Sequence, residues 1–548
     1  MNSKFGNWAL KFLLGIGNWE LEIYFYKIIM NIQEILKKIS EVKIVEIKNN
    51  TVFATVSRED LARVSTSLVD EHKLFLSSLY GTDNRKENQT FGVNVIFGDD
   101  ANHQWLRLSA SLPENDPSYP SITRTIMAAH WYERYMQDMF GVIAVGHPDP
   151  RRLVNHENIP EGTHPLRKDF AVNTKLEKAN VPYPMHHIEG EGIFEIPVGP
   201  IHAGIIEPGH FRFNVAGERI LTLEGKLFFT HKGVEKLMEG KNPKDALPYV
   251  EGISGDMAAS HCLAYVQAIE TISNCNVTDR AKMLRTLVLE LERLTMHIHD
   301  LANIGGMGTG YSFIAANGFR IKERMMRLSD DIFGNRFWRE FITIGGVTKD
   351  LNDLQLKKIL EISKDAYFEM NKIVMLALAS DGFLDRMQTT GVLGQEAARA
   401  FGALGIAARG SGLDRDVRRD HPYAAYQKYP TTVSLKKKGD VHSRYLVRIE
   451  EMKVSIDFIE KIIAEMETGD VSVPVEIKDG YAISAVESWR GEILCALEIK
   501  NGVIERCFPR DPSFCNWALF GIMGPGNIVP DFPLINKSLN LSYSGTDL

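Results

Sequence analysis

Asp279-Arg-Ala-Lys-Met-Leu-Arg-Thr-Leu-Val-Leu-Glu-Leu-Glu-Arg-Leu-Thr-Met-His-Ile-His-Asp-Leu301 decides the fold class of the longer part of this chain. Ala281, Leu284, Leu287, Val288, Leu291, Leu294, Thr295, Ile298 and Leu301 recur with an α-helical period, and Asp279 stands where a helix cap is expected. Glu290, Arg293 and His297 share one face of that helix, which leaves two readings open, an ion-pair stripe or a proton relay. The spacing predicts further helices over residues 350–380 and 446–466, the second with an apolar seam of Ile449, Met452, Ile456, Ile459, Ile463 and Met466. Between them, residues 385–423 are dense in Arg, Asp and Gly. Such a run is costly to bury and points to an interior polar path or an interface. Residues 491–508 read as a hairpin turning at Asn501-Gly502.

Upstream the pattern changes. Residues 42–56 alternate around Asn49-Asn50, a turn pair that tolerates positive φ. A helix is expected over 58–71, and strands over Val93-Asn-Val-Ile-Phe97 and the alternating Leu106, Leu108, Ala110 and Leu112. The expected class is α+β: a small N-terminal α+β domain over 30–170, a linker over 171–195, and a mainly helical domain with peripheral antiparallel strands over 196–548. His186 and His187 in the linker read as solvated, because no third ligand stands at zinc spacing. Residues 1–29 are apolar but interrupted by Lys11, Gly15, Gly17, Glu20 and Glu22, too often for a membrane helix. They are expected to be an extension absent from the native protein, with Met30 as its start; an amphipathic anchor is the alternative.

A chain of 548 residues implies two or more domains. The net charge of -7, without a basic block, excludes a nucleic-acid footprint. Five scattered cysteines without a Cys-x-x-Cys pair suit a reducing compartment and no disulfide framework.

Several motifs are more specific. Ala129-His-Trp-Tyr-Glu-Arg134, Asp138-Met-Phe-Gly141, Gly146-His-Pro-Asp149, Arg151-Arg-Leu153 and His164-Pro-Leu-Arg-Lys-Asp-Phe170 describe an aromatic helix leading into a Pro- and Arg-rich extended arm suited to lying across a partner. This run resembles the signature of the small hydrophilic subunit of respiratory complex I. From residue 196 the chain resembles the large subunit shared by complex I and the membrane-bound nickel-iron hydrogenases. The resemblance is carried by His231-Lys-Gly-Val-Glu-Lys236, Leu289-Glu-Leu-Glu-Arg293 with His297, Arg320 to Arg324, Asn335-Arg-Phe337, Gly345-Gly-Val347, Gln388-Thr-Thr-Gly391, the Arg/Asp run at 414–423, and Asp531-Phe-Pro-Leu534 through Ser542-Tyr543. Fusion of both parts in one chain is the formate-hydrogenlyase-type arrangement.

The departures narrow the resemblance. The four nickel-ligand cysteine positions of that family fall on Ser254 and Met257 in the segment 249–265, and on Ser513 and Asn516 after Asp511-Pro512. Hydroxyl, thioether and amide groups do not replace soft thiolates that hold and bridge metals. The arginine usually ahead of the first cysteine is Gly252, the quinone-binding tyrosine position of complex I is Gly255, and a family aspartate falls on Met307. The quinone histidine has no secure counterpart, His210 being near but in a different context. Cys262 and Cys515 lie close to the two motifs but off register. This pattern is closest to the energy-converting hydrogenase-related proteins.

The resemblance implies a subunit on the cytoplasmic face of a membrane, in a complex that couples electron transfer to ion translocation. Implied partners are a small iron-sulfur subunit, a ferredoxin-like subunit, antiporter-like membrane subunits and a quinone or another small acceptor. Iron-sulfur clusters are expected in the partners, no cofactor in this chain, and no nickel-iron site. Candidate proton-handling groups of a remodelled cavity are His202, Asp256, His261 and Glu292. The alternative is a scaffold that relays conformational change without an acceptor.

Overall fold

In the computed structural model, which describes residues 31–203 and 206–548, the N-terminal part is built on one five-stranded sheet. The expectations for residues 1–29 lie outside the described residues. The strands are β1 (Lys43–Lys48), β2 (Thr51–Thr55), β3 (Phe75–Asn84), β4 (Thr90–Asp99) and β5 (Gln104–Pro113), in the order β1-β2-β5-β4-β3. β2 and β5 run parallel; every other neighbouring pair is antiparallel. Asn49 and Asn50 both adopt left-handed backbone (φ 49° and 59°), as a two-residue hairpin turn matched to strand twist requires. Helix α1 (Leu61–Asp70) follows β2, and the aromatic helix α2 (His130–Phe140) packs on β3.

The arm after α2 is pinned to the chain itself rather than left in solvent. Asp138 Oδ2 accepts the backbone N–H groups of Leu153, Val154 and Asn155 at 2.8, 2.7 and 3.0 Å. Arg134 donates to the carbonyls of Arg151 and Arg152 at 2.8 Å each. Arg151 then reaches Glu224 at 2.5 Å and Lys168 reaches Glu505 at 2.9 Å, so the arm lies across the second half of the same chain. Residues 171–192 contain no helix or strand.

The second half opens with an antiparallel sheet of β6 (Ile193–Val198), β7 (His210–Ala216) and β8 (Arg219–Lys226). A bundle follows, made of α3 (Ala258–Ser273), α4 (Asp279–Asn303), α5 (Ser312–Phe333), α6 (Asp353–Leu378) and α7 (Val441–Ala464). The meander β9 (Gly480–Glu487), β10 (Glu492–Lys500) and β11 (Val503–Arg510) lies against α3. The short helix α8 (Phe532–Leu539) returns to α4 and α7. The fold is therefore α+β. No helix among the described residues is long and apolar enough to cross a membrane.

Helix α4 is the axis of this half, packed by α5 and α7 and buried on nearly every face. Its cap is Thr278, not Asp279: Thr278 is extended and its Oγ1 accepts the Ala281 N–H at 3.2 Å. Asp279 is instead the first helical residue, where its charge favours the positive end of the helix dipole. At the far end the helix loosens into a π-turn over Ile304–Gly308. Gly306 allows the close passage of α5 there, since a Cβ at that position would stand 2.1 Å from Ala315 Cβ.

Candidate functional site

The two segments singled out by the absent cysteines meet. After a short helix at Leu247–Glu251, the chain turns through residues 252–257 into α3, with Met257 fully buried at the helix start. After β11, Asp511 caps a short helix at Pro512–Asn516, its Oδ1 accepting the Ser513 N–H at 2.7 Å. Its other oxygen takes His261 of α3 at 2.9 Å. A carboxylate only accepts, so His261 Nε2 is the donor and carries the proton. Both groups are almost wholly buried, and this bond clamps the C-terminal segment to α3.

Ser542, in the tail, joins the same two segments. Its Oγ lies 2.8 Å from Ser254 Oγ, and its backbone N–H donates to Ser513 Oγ at 2.9 Å. Asn516 turns elsewhere and clasps the backbone of Leu404, accepting its N–H at 3.0 Å and donating to its carbonyl at 3.1 Å. The four positions thus hold two linked hydroxyls, a backbone-bound amide and a buried thioether.

Beside Ser254 opens a cavity of ≈370 Å³, walled by the turn at Ser254–Asp256, Arg490, and the tail residues Asn536, Lys537 and Asn540 to Ser544. Arg490 enters from the β9–β10 loop and grips Asp256 with both terminal nitrogens, at 2.8 and 2.7 Å. Burial opposes ionisation of Asp256, but the Arg490 guanidinium and the Ser254 hydroxyl prevail and bring its pKa down to about 2. A larger cleft of ≈790 Å³ lies between the Asn49-Asn50 turn, Trp105, the end of α3 and His421. It is lined by none of the four positions that hold the family's metal ligands, whereas Ser254 lines the smaller cavity, which is therefore the candidate site.

Of the four candidates, Asp256 alone lines this cavity. His202 sits behind its wall, with Nε2 3.1 Å from the hydroxyl of Tyr543, which does line it. His261 is directed at Asp511. Glu292 lies under the turn, where its carboxyl accepts the Ala259 N–H at 3.0 Å and the Ser260 hydroxyl, and burial pushes its pKa up to about 8. Cys262 is bonded toward the Ile342 carbonyl and Cys515 toward the Tyr132 hydroxyl, in unconnected surroundings. His210 lies against the Gly199 carbonyl, and Met307 is exposed. Among the described residues no group of three or more His, Cys, Asp or Glu side chains is placed to hold a metal ion.

Sequence reading missed Arg490 and Lys537, and took Ser542 only as the end of a family motif. Arg490 was findable as a lone basic residue directly before Gly491 at the predicted hairpin; Lys537 carries no local signal.

Behind the cavity the later part of the polar run at 385–423 turns inward, burying Arg409, Asp416 and Arg418, while Asp385, Gln388 and Arg399 stay exposed. Arg409 pairs with Glu451 at 2.8 Å and Glu487 at 2.7 Å; Arg418 pairs with Asp416 at 2.7 Å and Glu290 at 3.2 Å. Glu290 also accepts the hydroxyls of Ser455 and Tyr426, and Arg293 approaches it at 3.6 Å. His297 donates to Glu451 at 2.8 Å. Burial opposes ionisation of Glu451, yet Arg409 and its other donors keep it ionised, well below the usual carboxylate range. The Glu290, Arg293 and His297 stripe is thus one edge of a buried ionic matrix. It touches the cavity through Asp300, which accepts Arg448 at 2.8 Å and Asn540 at 2.6 Å.

Residues 54–176 match the family described as respiratory-chain NADH dehydrogenase, 30 Kd subunit; residues 308–477 match the respiratory-chain NADH dehydrogenase, 49 Kd subunit; and residues 232–302 match nickel-dependent hydrogenase. The chain is similar to formate hydrogenlyase subunit 5 of Escherichia coli (strain K12), 32% identical over 86% of this chain and 84% of that protein. It is similar to hydrogenase-4 component G of the same organism, 32% identical over 90% of this chain and 88% of that protein. The C/D subunit of the NADH-quinone oxidoreductase of Sulfurihydrogenibium sp. (strain YO3AOP1) is 30% identical over 72% of this chain and 73% of that protein. The chain therefore belongs to the family of fused 30 kDa/49 kDa complex I-type subunits that includes these hydrogenase and NADH-quinone oxidoreductase components.

Proposed function

We propose that this chain is the peripheral-arm subunit of a membrane-bound, complex I-like oxidoreductase on the cytoplasmic face, and that its cavity serves an acceptor other than a nickel-iron centre. Electrons arrive from an iron-sulfur cluster in a partner subunit, and partner membrane proteins couple their transfer to ion translocation. What carries the reading is the donor set at the four ligand positions. Ser254 and Ser513 are joined through Ser542, Asn516 is committed to Leu404, and Met257 is buried, so none supplies a thiolate. These residues do not fit a nickel-iron group.

Asp256, held ionised by Arg490, is the candidate residue with access to the cavity, and the Asp511–His261 pair fixes the C-terminal segment behind it. The test is to purify the assembled complex, measure its metals, and titrate candidate acceptors against the reduced partner cluster. Stoichiometric nickel would overturn the reading. Acceptor reduction unchanged in both Asp256→Asn and His261→Ala variants would remove the cavity from the reaction. No reduction of any acceptor by an intact, reduced complex would favour the scaffold, a role the mutual pairing of Asp256 and Arg490 also suits.

A further inference from the structure

The cavity wall carries an ammonium that no carboxylate among the described residues pairs with directly. Around it, two carboxylates are each paired with one guanidinium: Asp256 with Arg490 at 2.7 Å and Asp300 with Arg448 at 2.8 Å. Lys537, on α8, lines the cavity and is half-buried, and its ammonium has no hydrogen bond or ion pair among the described residues. Lys322, on α5, is a second half-buried ammonium without such a partner, and it feels both Asp256 and Asp300. Burial lowers the pKa of both lysines, and Asp300, already paired with Arg448, offsets this only in part. The remaining acid of the wall, Glu207, is bonded to the Ser544 N–H at 3.1 Å and also feels Lys232.

The rest of the wall decides what kind of ligand would supply the missing charge. Pockets for apolar rings are lined mainly by aliphatic and aromatic side chains. Here Ile206, Leu541 and the Tyr543 ring are outnumbered by hydroxyls, amides and charged groups. Such a surface solvates a small polar ligand and offers little to a hydrophobic one.

We propose that this cavity binds a small oxyanion, a carboxylate or an inorganic oxyanion, with Lys537 as its anchoring cation. The inference rests on reading this cavity as the acceptor site, and it names the chemical class that site takes. Asn540, on the same wall, already donates to Asp300 at 2.6 Å and Asn536 is bonded to Tyr543, so the Lys537 ammonium rather than these amides is the donor offered to a ligand.

The test uses the assembled complex with sulfate or acetate as probes and chloride as control, at equal ionic strength. Lys537 is acylated with an amine-directed reagent and followed by mass spectrometry, with exposed Lys500 as internal reference; thermal stability is recorded in parallel. Sulfate or acetate slows acylation of Lys537 but not of Lys500 and raises the midpoint of unfolding. Preference between the two probes assigns the anion to the inorganic or the carboxylate class. Lys537→Met weakens the anion effect by about tenfold or more, while Lys537→Arg retains most of it.

Equal acylation in all three salts overturns the proposal, as does an anion effect undiminished in Lys537→Met. So does a Lys537 shielded in the complex whatever the salt, which would mean that a partner's carboxylate occupies it. Binding without reduction of any acceptor would sink the acceptor reading alone, and reduction of an uncharged acceptor that survives Lys537→Met would sink the oxyanion alone.

Discussion

The cavity wall and the ionic matrix behind it are built from the same residue types under different rules. In the matrix each carboxylate serves several donors: Glu451 takes Arg409, His297 and Arg293 at 2.8, 2.8 and 3.5 Å, and Glu290 takes Ser455, Tyr426 and Arg418. In the wall each carboxylate meets one charged partner, Asp256 with Arg490 and Asp511 with His261, and its remaining bonds go to neutral groups such as the Ser254 hydroxyl and the Ser513 N–H. A multiply shared charge cannot be removed without stranding its partners in a dry interior, whereas one link of a wall can be exchanged locally.

The largest effect is expected in the matrix. Glu451→Ala leaves Arg409 with Glu487 as its closest remaining acid and deprives His297 of its acceptor. Stability should fall by about 3–5 kcal/mol, read from denaturant unfolding, with failure to assemble as the practical consequence. A loss below about 1 kcal/mol would erase the distinction between the two regions.

Glu292 tests the boundary between them. Its folded-state pKa of about 8 lies above the ordinary carboxylate value, so the folded chain holds a proton that the unfolded chain releases. The stabilisation is full below the ordinary value near 4.5 and is lost as pH rises toward 8, a change of about 5 kcal/mol at most. Glu292→Gln should flatten that slope, at the expense of one acceptor for Ser260 or Ala259. Unfolding free energies at several pH values decide it, and an unchanged slope in the variant refutes the assignment.

How much of this was legible in the sequence depends on the range of the interaction. The period of α4, the apolar seam of α7 and the turns at Asn49-Asn50 and Asn501-Gly502 are local, and each expected element is present. The density of Arg, Asp and Gly at 385–423 left an interior path and an interface both open, and only its later part, with Arg409, Asp416 and Arg418 buried, is interior. Partners were not legible. Asp256 and Arg490 are 234 residues apart, and His261 and Asp511 are 250 apart, so no spacing rule connects them. Glu290 and Glu292 illustrate the same limit. Two residues along a helix turn the side chain by roughly 200°, which sends Glu290 to Arg418 and Glu292 to Ser260 of α3. An amphipathic helix would expose one of them, but α4 is covered all round, and both are buried.

The smaller effects belong to the wall, and their ranking is itself informative. Asn516→Ala leaves the N–H and carbonyl of Leu404 without their partner in a buried setting and should cost about 1–3 kcal/mol. Ser254→Ala should cost about 1 kcal/mol or less, because Ser542 Oγ keeps its other bond, accepting the Gly545 N–H at 2.8 Å, and Asp256 keeps both contacts with Arg490. Thermal unfolding of the two variants, alone and combined, separates these values. Ser254 and Asn516 share no partner, so their effects should add. If Ser254→Ala instead proves as damaging as Glu451→Ala, the hydroxyl chain through Ser542 is part of the framework, and the wall is no freer to change than the matrix.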